Sequence, residues 1–354
     1  MMCWGLLRQL APAFVAASLA LPAGAQDWAT RDVCDIQELA VFPEALSPLP
    51  LETLEHQAND IPNGIGRFWQ ISAPNGAVSH LWGTYHSSNR YILDLPDQVL
   101  DQIEAARLVA LEIDPTFRTR AEVYKTAQQT GRYRPAGTSF QFADLGLPDQ
   151  IELWVRDRMD AIGWGASSAD YLTLGALAEL LLWSPCDDFD GGIIPDQDSY
   201  IQTRARIAGV PILGLEPSDR LHRHLNHPDN QGLARAMIAV YGAYLAPVAD
   251  WKPMASHMAL YRQGRIAVSM VADAAFVEQT LGNEGSALYA QLNDYLLIER
   301  NYGFVEAATD ALEQGGAFIG VGAYHIPGAE GVVDLLRAQG YRVERVPLPG
   351  EGVE

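Results

Sequence analysis

The chain reads as an α/β protein, with a central mixed β-sheet covered by helices and a helical insertion in its middle. Three observations predict this. Short apolar runs rich in aromatic and β-branched residues recur from residue 68 to residue 346. Between them lie longer stretches whose apolar residues return every three to four positions, the period of a helix that buries one stripe. Finally, Gly-x-x-His closes such a run twice, as Gly83-Thr84-Tyr85-His86 and as Gly322-Ala323-Tyr324-His325. One copy would mean little in a chain with 31 Gly and 8 His. Two copies, each at a predicted strand end and each with Tyr before His, point to paired strand ends meeting at one edge of the sheet.

Residues 1–25 have the pattern of a signal peptide. Arg8 and the free amine make a small positive region, Leu10 to Leu21 an apolar stretch too short to span a bilayer, and Ala23-Gly24-Ala25 a small-residue cleavage site. The expected mature chain, 26–354, is a single domain starting at Gln26, periplasmic or secreted, with no membrane anchor after cleavage. Cleavage removes Cys3 and leaves Cys34 and Cys186, a pair expected to form a disulfide in an exported protein, the alternative being two buried thiols. There is no Cys-x-x-Cys, hence no zinc ribbon or redox motif. The formal net charge of -20 repels phosphate backbones and anionic lipid heads, which argues against nucleic-acid and membrane partners.

Taken in order, the elements begin with an outer helix near Ser47 to Ala58. Phe68 to Ser72 and Ala77 to Tyr85 follow, joined by the tight-turn signal Pro74-Asn75-Gly76, and predict a β-hairpin. A polar loop from Ser87 to Arg90 leads to a helix over Pro96 to Ala106, with Val99, Leu100, Ile103 and Ala106 on one stripe. Leu108 to Ile113 reads as a buried strand that delivers Glu112 and Asp114. The insertion, around residues 119–190, holds helices over Thr119 to Thr130, Pro148 to Asp160 and Ala169 to Trp183, with a loop from Tyr133 to Phe140. It is expected to cover the site. A helix over Asp198 to Ala208 stops at Gly209 and feeds the strand Val210 to Leu215, which ends in Glu216-Pro217. Further helices run from Gly232 to Tyr244 and across Lys252 to Gln279, and one long or broken helix spans Ser286 to Gln314. The strand Ala317 to Ala323, a helix over Gly331 to Gln339 and a last strand from Tyr341 to Val346 complete the chain.

In an α/β sheet, ligands bind outside the carboxyl ends of the strands. His86, Glu112, Glu216 and His325 all sit at such ends. Two imidazoles and one or two carboxylates are the ligands of a hydrolytic metal site, in which the metal acidifies a water and polarises a carbonyl. The expected metal set is His86, His325, Glu112 and Glu216, and a divalent ion is implied, with Mn, Co and Zn all admissible. The expected catalytic residues are Glu112, His86, His325 and Arg300. A second reading needs no metal: one His, oriented by a carboxylate, activates water, and the other His or Arg300 stabilises the oxyanion.

Each residue also has a plain structural explanation. Glu216-Pro217-Ser218 is equally suited to start a helix with Ser218 as N-cap, Arg300 to pair with Glu299 or Asp294, and Glu112 to end a solvated strand. His222, His224 and His227 read as a solvated loop. There is no Gly-x-Ser-x-Gly elbow, no His-Glu-x-x-His, no phosphate loop and no dinucleotide fingerprint after the first strand.

Leu81-Trp82-Gly83-Thr84-Tyr85-His86, Leu95-Pro96, Ala105-Ala106 and Leu111-Glu112-Ile113-Asp114 together resemble the opening block of the TraB/GumN family, related to the Tiki metalloproteases. Asp198 to Ala205 with Gly214-Leu215-Glu216, then Glu299-Arg300-Asn301, then Val321 to Gly328 with Gly331, resemble its later blocks in order. The resemblance covers about Arg67 to Val346. It implies the α/β fold class of erythromycin esterases and haem-binding ChaN-like proteins, and a metal-dependent peptidase activity. By matched position, His86, His325 and Glu112 carry over as metal or catalytic residues, with Arg300 and Asn301 as family-motif residues. The expected function is an exported metal-dependent hydrolase acting on a peptide or another carbonyl-containing substrate. The alternatives are a metal-independent esterase using the same residues, and a non-catalytic metal- or haem-binding protein.

Overall fold

A computed structural model describes residues 34–113, 131–182, 186, 196–247 and 250–352. The expected leader, Gln26, Asp114 and the helix over Thr119 to Thr130 lie outside the described residues. The six strands are β1 (Phe68–Ser72), β2 (Val78–Thr84), β3 (Leu108–Leu111), β4 (Ile212–Gly214), β5 (Ala317–Gly322) and β6 (Arg342–Arg345). They form one mixed sheet in the order β4-β3-β5-β2-β1-β6. β4, β3, β5 and β2 run parallel, whereas β1 is antiparallel to both of its neighbours, β2 and β6. The longer helices are α1 (Leu51–Ala58), α2 (Asp97–Ala105), α3 (Asp149–Ala161), α4 (Leu174–Leu181), α5 (Gln197–Ile207), α6 (Gln231–Ala243), α7 (Lys252–Arg262), α8 (Ile266–Leu281), α9 (Gly285–Asn293), α10 (Arg300–Gln314) and α11 (Val332–Ala338).

The period-two alternation along the strands divides the core into two layers. On one face Trp82, Val109, Leu111 and Phe318 pack with Val99 and Ile103 of α2, Ile201 and Ala205 of α5, and Met258 and Tyr261 of α7. On the other, Leu81, Ala110, Ile319 and Val321 pack with Phe304, Val305 and Leu312 of α10 and Val332, Val333 and Leu336 of α11. Trp82 and Phe318 are almost completely buried, each contributing on the order of 2–3 kcal/mol of transfer free energy. A separate apolar cluster joins α3, α4 and α6, with Val277, Leu292 and Tyr295 closing it from α8, α9 and the turn after α9. This is the helical layer expected from the leucine-rich middle of the chain.

Several element boundaries differ from the sequence reading, for local reasons. β4 is only three residues long because Pro211, just before it, has no N–H to donate. The expected helix over Ala169 to Trp183 is broken. A turn at Ser168–Tyr171 is followed by α4, which Thr173 caps by accepting the Ala176 N–H at 3.4 Å. The stretch Ser286 to Gln314 is also broken, by a π-helical turn over Asp294–Glu299 that re-aims the chain just before Arg300. His222 is helical and buried, within Arg220–Leu225, rather than in a solvated loop. Asp219, not Ser218, is the N-cap of that helix.

Cys34 and Cys186 form a disulfide, with Cα atoms 5.4 Å apart and 152 residues between them in sequence. It ties the start of the described chain to the segment that leads into α5. Among the described residues no helix is long and apolar enough to cross a membrane.

Candidate functional site

Because β2, β3, β4 and β5 are parallel, their carboxyl ends lie along one edge of the sheet, and the residues that follow them meet there. His86 follows β2, Glu112 follows β3, Glu216 follows β4, and His325 ends the 3₁₀ turn Ala323–His325 after β5. The Leu215 and Glu216 N–H groups donate to the Leu111 and Glu112 carbonyls at 2.8 and 2.9 Å, so pairing continues past the strands and sets the two glutamates side by side.

The two glycines of the Gly-x-x-His motifs explain why the pair recurs. A Cβ on Gly83 would lie 2.7 Å from Ile326 Cδ1 and 3.1 Å from Ala323 Cα, so each approach of the second motif to β2 needs a bare backbone there. A Cβ on Gly322 would lie 3.1 Å from Glu112 Oε1, 3.5 Å from His86 Nε2 and 3.5 Å from a carbon of the His325 ring. Gly322 is therefore the point on which His86, Glu112 and His325 converge, and its N–H donates to Glu112 Oε1 at 2.6 Å.

Arg300, the first residue of α10, occupies the middle of the acidic group. Its Nη2 donates to Glu112 Oε2 and, at 2.7 Å, to Glu216 Oε1, and its Nε donates to Glu216 Oε1 at 3.0 Å. Nη1 reaches the Leu296 carbonyl at 3.2 Å and His325 Nε2 at 3.4 Å. Glu216 is held a second time by Arg220, at 2.7 Å. The four residues expected to form the metal set are thus brought together, but Glu112, Glu216 and His325 are gathered around a guanidinium. Burial works against the Glu112 charge, yet Arg300 above all, with the Gly322 N–H, outweighs it and holds this carboxyl below its ordinary range.

The His325 tautomer follows from its partners. Asn301 Nδ2 donates to the Glu330 carbonyl at 2.7 Å, which turns Asn301 Oδ1 toward His325 Nδ1 at 2.6 Å. The oxygen accepts, so Nδ1 carries the proton and Nε2 keeps its lone pair for the Arg300 N–H. Burial, aided by the Arg300 charge and opposed by Glu112, lowers the His325 pKa to about 3. His325 is a neutral imidazole at physiological pH.

His86 is different. Its side chain is 57% exposed, and its Nδ1 lies 2.9 Å from Asp198 Oδ2. Asp198 also accepts from the Thr84 hydroxyl at 3.1 Å. Asp196 caps α5, accepting the Ser199 N–H at 2.8 Å. Between the two, Gln197 locks the start of α5 to β2: its Oε1 accepts from Trp82 Nε1 at 3.0 Å and from the Tyr85 N–H at 3.2 Å. Desolvation opposes a charge on His86, but Asp198 first, then Glu112 and Asp196, outweigh it and raise its pKa. Solvent at the exposed ring weakens each attraction, and the sign survives because three carboxylates act together. Burial also raises the Asp198 carboxyl, with Asp196 and Glu112 adding to it and His86 opposing. One ligand-capable atom from each of His86, Asp196 and Asp198 lies within 4.8 Å of the others, a group that could hold a metal ion.

A sequence model described as the TraB/PrgY/gumN family matches residues 67–345. The chain belongs to the TraB/PrgY/gumN family. No curated protein and no solved structure matches it. The family match takes in His86, Glu112, Asp196, Asp198, Glu216, Arg300 and His325. Asp196 was missed as a site residue by the sequence reading, and Asp198 was seen only as the start of a family block. The available signal was Asp196-Gln197-Asp198, three polar residues opening a helix.

Proposed function

We propose that this TraB/PrgY/gumN family protein is an exported, metal-dependent hydrolase of a peptide or another carbonyl compound. The observation that carries this reading is the group His86, Asp196 and Asp198, beside Glu112. One imidazole and two carboxylates are a donor set suited to Mn, Co or Zn. The excess of negative charge that raises the His86 pKa is also what a divalent cation would neutralise. These three residues would hold the metal, whereas Glu112, Glu216 and His325 already share Arg300. When bound, the metal supplies Lewis acidity for a substrate carbonyl and acidity for a water.

The chain's own residues then have separate tasks. His86 lies with Nδ1 2.9 Å from Asp198 Oδ2 and Nε2 toward Gly322; Nδ1 donates its proton to Asp198 in the free site and would give it up to serve as a ligand beside Asp196 and Asp198. Glu112, kept ionised by Arg300, orients the attacking water. His325, held neutral by Asn301, places an uncharged Nε2 3.5 Å from Glu112 Oε1. Arg300 has its donors committed to Glu112, Glu216, Leu296 and His325, so it is a positioning residue rather than an oxyanion donor. The disulfide supports the location outside the cytoplasm, periplasmic or secreted.

The 2.9 Å His86–Asp198 contact also favours a second reading, in which that dyad activates water without a metal. Metal analysis of the purified protein combined with peptide and ester hydrolysis assays tests both. Metal and activity lost together in His86→Ala and Asp198→Asn supports the metallohydrolase. Activity that persists in chelator supports the dyad. Bound metal or haem with no turnover on any substrate supports a binding protein instead.

A further inference from the structure

A second cluster of polar groups lies beside the site, carried by α6 and the residue after it, α7, α8, α9 and the 3₁₀ turn that carries His325. Its centre is Asp273 of α8, 14% exposed at its side chain. The Tyr324 hydroxyl donates to Asp273 Oδ2, and the Tyr244 hydroxyl is also within hydrogen-bonding reach of this carboxylate. His257 stands further off, with Nε2 3.7 Å from Asp273 Oδ1 and Nδ1 2.7 Å from the Ser269 hydroxyl. Tyr244 stacks on Phe276 with ring centroids 5.4 Å apart, and Tyr241 lies 6.1 Å from Tyr244. Tyr241, Tyr244, Asp273, Phe276, Tyr289 and Tyr324 are all half-buried. They line the cluster without being sealed in the core.

The carboxylate at its centre has only His257 as a cationic neighbour, as Asp198 has only His86, whereas most others of similar burial have an arginine. Glu112 and Glu216 face Arg300, Glu351 faces Arg67, Glu179 faces Arg132, and Asp170 faces Arg156. Among the described residues no lysine or arginine pairs with Asp273. Hydroxyl donors satisfy lone pairs but bring no charge, and an ionised carboxylate offers about four acceptor sites, of which the two tyrosines take two. Tyrosine rings attract cations at their faces.

We propose that Asp273 and the surrounding tyrosines form a subsite for a positively charged group of the substrate, an ammonium or a guanidinium, beside the His325 end of the catalytic site. Tyr324 is the neighbour of His325 in the turn, and the Tyr241 hydroxyl feels the charges of Arg300 and Glu112 as well as that of Asp273. Burial raises the Asp273 carboxyl, with His257 and the Tyr324 and Tyr244 hydroxyls opposing it, and a bound cation would add a full positive charge that no arginine or lysine supplies there. The word substrate rests on the hydrolase reading, whereas the cation preference does not.

Calorimetric titration of the full protein with Nα-acetyl-arginine amide and with its neutral isostere Nα-acetyl-citrulline amide tests the subsite without turnover. Nα-acetyl-arginine amide is expected to bind about tenfold more tightly or better, the equivalent of one good desolvated cation contact. That preference is expected to disappear in Asp273→Asn and to persist in His86→Ala. Equal binding of the two amides, no binding of either, a preference that survives Asp273→Asn, or one lost only in His86→Ala would overturn the proposal. The comparison of the two amides on the unaltered protein holds even if Asp273→Asn fails to fold. A protein that binds Nα-acetyl-arginine amide but hydrolyses nothing would refute the hydrolase and keep the subsite.

Discussion

Removing the Arg300 guanidinium is the sharpest perturbation the site allows, because one side chain neutralises two carboxylates that are about nine-tenths buried. In Arg300→Met the Glu112 and Glu216 side chains, 10% and 11% exposed, lose their shared cation. Breaking a buried pair in this way costs about 3–5 kcal/mol. Glu216 keeps Arg220 and Glu112 keeps the Gly322 N–H, which puts the expected loss at the lower end, about 3 kcal/mol. The assay is urea denaturation followed by tryptophan fluorescence. The loss is expected at pH 7 and is partly relieved at pH 5, because an unpaired buried Glu112 takes up a proton there. Adding Glu112→Gln to Arg300→Met is expected to restore much of the stability, since the uncompensated charge is gone. A loss below about 1 kcal/mol at pH 7, or a double variant no more stable than the single one, would refute the idea that Arg300 is the counter-charge of this site.

Three further outcomes are expected. His325 has a folded pKa of about 3, below its ordinary 6.5, so the unfolded chain takes the proton first. Stability is therefore full above pH 6.5 and falls as the pH drops from 6.5 toward 3, by up to about 1.4 kcal/mol per pH unit. Glu112 adds a second loss below its ordinary 4.5. Thermal melts from pH 7.5 to pH 5 are expected to show this slope, and His325→Leu, which cannot titrate, to flatten it. Asn301→Leu leaves the His325 Nδ1–H without its acceptor and is expected to cost about 1–3 kcal/mol, read from the same denaturation curves. Gly322→Ala places a methyl 3.1 Å from Glu112 Oε1, and is expected to reduce hydrolysis at least tenfold in kcat/KM while lowering stability by only about 1–2 kcal/mol.

Most of the sheet was legible because period-two apolar runs and a tight-turn signal need only neighbouring residues to be read. His86, Glu112, Glu216 and His325 were legible for the same reason: once the strands are placed, their ends are too. Arg300 was visible as a motif residue, but not its role, since a long side chain chooses among distant carboxylates only after α10 has docked. Asp196 and Asp198 resemble an ordinary helix start. What brings them beside His86 is the docking of α5 on β2 through Gln197 and Trp82, 115 positions apart. His222 misled because three histidines among polar residues look solvated. Its burial comes from the close approach of α4, where a Cβ on Gly175 would lie 2.7 Å from the His222 carbonyl oxygen. Asp273 and its tyrosines are scattered from residue 241 to residue 324, and no short-range pattern connects them.

The central claim is that a divalent cation belongs to the carboxylates around His86 and not to those around Arg300. A crystal soaked with manganese and measured for anomalous scattering decides it. The account predicts a peak in contact with His86, Asp196 and Asp198, lost in Asp198→Asn. A peak among Glu112, Glu216 and His325 with Arg300 displaced, or none near either group, would contradict it.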